Sequence, residues 1–122
     1  MDSTVPVPIS KVVDLAVEAW RLERWLGAFN AATTAAPARY ALRKFTDFFH
    51  EHQIETIDLT GQPFEAGLAL EVLGTTRDST LPLDTILVDE MVAPICLWQG
   101  NVVRHGRVVT RSSGLSTTAG DV

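Results

Sequence analysis

The chain has 122 residues, 46% of them apolar, and a formal net charge of −5. That length holds one compact domain or two very small parts, and the apolar content suffices for a core, which excludes global disorder. The acidic balance argues against nucleic acid, whose phosphates require a basic patch, and against an anionic membrane surface.

No apolar run approaches the roughly 18 residues of a membrane span. The start, Met1-Asp2-Ser3-Thr4, is acidic and lacks the pattern of a signal peptide, so a cytoplasmic protein without membrane association is expected. The single cysteine, Cys96, excludes an internal disulfide and a cysteine metal cage, and its apolar surroundings read as those of a buried structural thiol.

Residues 1–9 are short, Pro-punctuated and expected to be flexible. Ser10 offers an N-cap. Beyond it Val12, Leu15, Ala19, Leu22, Leu26 and Phe29 recur at alternating gaps of three and four, a heptad-like seam. Val13, Ala16 and Trp20 widen the stripe, which predicts a helix packed on two sides. Residues 30–36 read as a connection. Pro37 suits the first turn of a second helix, which runs to about Gln53 with Leu42, Phe45 and Phe49 at helical spacing. Its basic residues Arg39, Arg43 and Lys44 lie in its N-terminal half, where the dipole does not favour them, and the pattern offers no reason for that.

From Ile54 the period changes. Ile57 and Leu59 alternate with polar residues as in a half-buried strand, and Gly61 and Pro63 punctuate a turn. Residues 65–72 read as a turn of helix and residues 74–84 as a mobile surface loop. Three strand candidates follow, at residues 85–91, 95–98 and 102–110, with Gln99-Gly100-Asn101 as a hairpin connection. Residues 114–122 read as a disordered Ser/Thr/Gly tail. The fold class is therefore α+β: a helical hairpin over residues 10–53, then a small antiparallel β domain over residues 54–113.

The chemistry-bearing residues form no catalytic pattern. His50 and His52 are two apart on a helix and cannot aim both imidazoles at one ion. Asp89 and Glu90 have no third ligand, so a solvated strand edge is the better reading. His105 has no Ser or Cys partner in a nucleophile motif, Ser112 and Ser113 lie in a Gly/Ser tail, and Gly100 and Gly106 do not lead into a helix as a phosphate loop does. No cofactor, metal or catalysis is expected. Trp20 and Trp25 stand five apart and point in different directions, which fits one core and one interface tryptophan; Trp98 is a third.

Several segments resemble the GrpE family of nucleotide exchange factors for DnaK-type chaperones. Ile54-Glu55-Thr56-Ile57 and Gly61-Gln62-Pro63-Phe64-Glu65 are similar to the family's V-E-x-I and G-E-P-F-D, after a helix and in the same order. Leu22-Glu23-Arg24-Trp25-Leu26 looks like L-E-R-A-L. Gly100-Asn101-Val102-Val103-Arg104 resembles G-D-R-V-L-R with one residue missing, and Arg107-Val108-Val109 resembles R-V-V. The likeness covers residues 12–111 and is to a short form without the family's N-terminal coiled coil. It departs at Gln53, where the family has a helix-ending glycine, at Ala66 for proline, at Ala69 and Leu70 for a His-Glu pair, and at Leu97 near a tyrosine.

The resemblance implies a homodimer in which each chain gives two helices to a four-helix bundle. The seam falls at Leu15, Ala19, Leu22, Leu26 and Phe29, with Phe45 and Phe49 opposite. It implies that the β domain binds a DnaK-type ATPase and promotes ADP release, with Trp98, Gln99, Asn101, Arg104 and Arg107 as the partner surface; by strand alternation Val102, Val103, Val108 and Val109 are expected to face the β core. The alternative is a non-catalytic structural or adaptor subunit of a larger assembly that retains the fold.

Overall fold

The computed structural model describes residues 3–28 and 36–113. Phe29, the interhelical connection and the C-terminal tail lie outside the described residues. Two helices, α1 (Ile9–Gly27) and α2 (Ala36–Glu51), precede six strands: β1 (Ile54–Ile57), β2 (Leu70–Arg77), β3 (Ile86–Ala93), β4 (Ile95–Trp98), β5 (Asn101–Arg104) and β6 (Gly106–Ser112). The strands form two three-stranded sheets, in the orders β1-β4-β5 and β2-β6-β3. The fold is α+β, as its change of hydrophobic period predicts.

Two compact units share the chain, one of Met1–Thr56 with Cys96–Val103, the other of Ile57–Ile95 with Arg104–Val122. They do not follow chain order, since the β4–β5 segment belongs with the helices.

In the first unit Ala16, Ala19 and Leu26 of α1 share a core with Leu42 and Phe49 of α2 and Ile54 of β1; Ile9, Val12, Ala38 and Trp98 pack at its margin. A second face of α1, Val13, Val17 and Trp20, is also buried, so the helix is covered on two faces as its wide stripe requires. The start of α1 differs from the expectation at Ser10. The cap is Pro8, extended at φ −60° and ψ 141°, with no side-chain cap bond. Its carbonyl accepts from Lys11 N at 3.0 Å, so the fixed proline φ sets the helix start and Ser10 falls inside the first turn. Two of the three basic residues of α2 find a reason. Arg39 Nη2 donates to the Leu26 carbonyl at 3.0 Å, satisfying an orphan acceptor at the end of α1. Lys44 lies 5.3 Å over the Tyr40 ring, one turn away.

In the second unit β6 is the central strand. Its alternate residues Gly106, Val108, Thr110 and Ser112 are buried, while β3 adds Val88, Met91 and Ala93 to the same core. β3 pairs with β6 antiparallel, but β2 pairs with it parallel, so the β region is mixed and not purely antiparallel. The segment after Leu59 covers the other edge of β3. Gly61 N donates to Val88 O at 2.8 Å, Val88 N to Gln62 O at 2.9 Å, and Phe64 N to Ile86 O at 2.8 Å. Pro63, lacking a donor, bridges Leu87 at that edge.

Four further expectations are corrected here. Residues 65–72 do not end in helix, because Leu70 enters β2, which runs through Gly74 to Arg77. The loop is thereby shortened and tied down: Asp78 N donates to Ser112 O at 2.7 Å and Ser113 N to Thr85 O at 3.0 Å. Thr80 donates to the Asp78 carboxylate through its hydroxyl and its backbone N–H, at 2.5 and 2.9 Å, and Arg111 lies 3.4 Å away; these hold the Asp78 pKa below the ordinary carboxylate value. Ser112 and Ser113 are buried, not part of a solvated tail. Residues 102–110 are not one strand: the chain leaves β5 at His105 and enters the other sheet at Gly106.

Gly106 is where that change of sheet is tightest. A Cβ there would meet Met91 Cε at 2.8 Å, Leu70 Cδ2 at 2.9 Å and the Ala93 carbonyl at 3.1 Å. Gly74 has open space around it. Urea unfolding should therefore show Gly106→Ala destabilised by about 1–3 kcal/mol through overpacking, and Gly74→Ala changed by less than about 1 kcal/mol. Equal effects of the two would remove the steric account of Gly106.

Candidate functional site

The β4–β5 hairpin turns on two residues, Gln99 and Gly100, at φ +53° and +82°. Two consecutive positive φ values match the twist of the flanking strands. The left-handed positions are thus Gln99 and Gly100, and Asn101 is already in the strand, its Nδ2 donating to Gln99 O at 3.4 Å. The hairpin is anchored to the end of α2, where Gln99 N donates to Gln53 O at 2.9 Å. Gln53 itself has φ +63°, so the helix ends in the left-handed conformation that glycine usually supplies, and a glutamine sustains it.

Of the predicted partner residues, Trp98 is half-buried against the helical core, while Gln99 and Asn101 are exposed. Arg104 and Arg107 fall in the other compact unit. Arg107 is exposed and lies 3.5 Å from Glu71, its register partner on β2. The four valines divide. Val108 is buried and Val109 half-buried, but Val102 is 47% exposed and Val103 38% exposed, contrary to the expectation that they face the β core. β5 is the outer strand of its sheet and only four residues long, so neither face of it is covered. Beside the hairpin root lies a groove of about 440 Å³ walled by Val7, Ile9, Phe48, His52, Gln53 and Trp98 among others.

The predicted dimer seam also divides. Ala19, Leu26 and Phe49 are buried within the hairpin's own core, because the helices of one chain use that part of the stripe themselves. Leu15, Leu22 and Phe45 are exposed, at 62%, 38% and 54%. Sequence reasoning missed Phe48, also exposed, one helical turn from Phe45 and with its ring centroid 4.5 Å from that of His52, the rings tilted by 53°. A cleft between the helices is walled by Glu23, Arg39, Arg43 and Thr46 together with the core residues Leu26 and Leu42. On helical phase Leu15 and Leu22 of α1, and Phe45 and Phe48 of α2, lie on the opposite flank of the hairpin. One flank is thus polar and the other apolar. The tryptophans of α1 separate as their spacing predicts, Trp20 buried with the Arg24 guanidinium 4.6 Å over its ring, Trp25 58% exposed.

Asp89 faces Arg111 at 3.5 Å, an ion pair on the sheet. Among the described residues no group of three His, Cys, Asp or Glu is close enough to hold a metal ion, and no helix is long and apolar enough to cross a membrane.

No protein-family model matches the chain, and no curated protein is significantly similar to it.

The left-handed glutamine at the helix end gives a direct check on this geometry. Gln53→Gly should relieve the strain and stabilise the protein by up to about 1 kcal/mol, or roughly 4 °C in Tm. A lower Tm in a thermal melt would contradict the conformation described at this joint.

Proposed function

We propose that the protein is a GrpE-like co-chaperone that binds a DnaK-type ATPase through the β4–β5 hairpin and promotes ADP release. The observation that supports this reading most is the exposure of Val102 and Val103 on the outer strand of the hairpin whose sequence resembles the family's G-D-R-V-L-R. Apolar side chains bare on a short strand, next to a tip fixed by two left-handed residues, suit an interface better than a core. The order of elements, helical hairpin then β region, agrees with it. Exchange needs no covalent chemistry: a protein that binds an open nucleotide cleft more tightly than a closed one shifts the ATPase toward the open state. In this reading Trp98, Gln99 and Asn101 flank the two valines along the hairpin, whereas Arg104 and Arg107 belong to the other compact unit and Glu71 already engages Arg107. A cytoplasmic setting, with the ATPase, goes with it.

The same reading includes a homodimer. The apolar flank carrying Leu15, Leu22, Phe45 and Phe48 meets its equivalent in a second chain, forming a four-helix bundle. Light scattering at micromolar concentration should give twice the chain mass, and Leu22→Asp with Phe45→Asp should give a folded monomer. A monomeric unmodified protein would exclude this assembly and leave a pairing with another helical protein.

Release of labelled ADP from the DnaK-type ATPase of the same source tests the exchange function. The unmodified protein should accelerate it. Val102→Asp and Arg104→Ala should each weaken the effect, on the order of thirtyfold in affinity for a central interface residue, or about 2 kcal/mol. Folded variants with undiminished stimulation would move the partner surface elsewhere. Without stimulation by the unmodified protein the exchange reading fails, and an adaptor subunit with this fold takes its place.

A further inference from the structure

We draw no further inference here: the strongest candidate, the apolar groove of about 440 Å³ at the root of the β4–β5 hairpin, walled by Val7, Phe48 and Trp98 between the start of α1 and the end of α2, is a surface of the helical unit that nothing in the structure shows to be covered by any particular partner.

Discussion

At Gly106 the chain passes from one sheet into another with no room for a side chain, and the second unit is organised around that passage. Met91 Cε and Leu70 Cδ2 occupy the space a Cβ would need. Because β6 can come in so close, it becomes the middle strand, parallel to β2 on one side and antiparallel to β3 on the other. Its backbone is also held just before the strand begins to pair, by the bond from Gly106 N to Ala69 O at 2.9 Å. The same passage limits β5 to four residues. Val102 and Val103 on that short strand are exposed.

The helices were legible because burial imposes a 3.6-residue period on them, and Pro37 and the Gly61-Gln62-Pro63 turn behave as local chemistry predicts. β2 was not legible. Seven of its eight residues are exposed and it holds Gly74, Thr75 and Thr76, so no period-2 apolar pattern marks it. It is a strand because β6 pairs with it, and pairing partners distant in the chain leave no local trace. Its parallel direction is equally a tertiary fact. The break at His105 had a signal in Gly106, but a glycine inside a strand pattern can equally mark a bulge, and only the crowding around it distinguishes the two.

For the candidate site, period alone could not separate two uses of one stripe. Ala19, Leu26 and Phe49 recur in phase with Leu15, Leu22 and Phe45, yet the first three pack within the chain and the others lie bare. A heptad states that a face is apolar and is silent on whether the neighbour is the same molecule or another. The tryptophans were better resolved, since five positions of α-helix turn a side chain well away from its starting direction, and Trp20 and Trp25 part accordingly. The reason for Arg39 was invisible for another cause. Its acceptor is the Leu26 carbonyl, thirteen positions earlier, and that bond exists only once the helices lie side by side.

The strand edges show which surfaces the fold protects and which it leaves available. The outer side of β3 is covered by residues 61–64, with a proline at the contact. β2 is bare but has a register shift between Val72 and Gly74 and charges at Glu71 and Arg77, devices that discourage another strand from adding. β5 is the outer strand of its sheet and most of its residues are exposed. Its two central residues are valines, no charge intervenes between the turn and Arg104, and its tip is fixed by Gln99 and Gly100 in the left-handed region and tied to Gln53. Holding the non-glycine residues Gln99 and Gln53 in that region costs on the order of 1–3 kcal/mol each, a cost that structures retain mainly where a precise shape is used. β5 thus presents an exposed apolar pair, Val102 and Val103, with a single charge, Arg104, at its end. This is why the hairpin, more than the ion-paired Arg107, is the part of the molecule best suited to meet a partner.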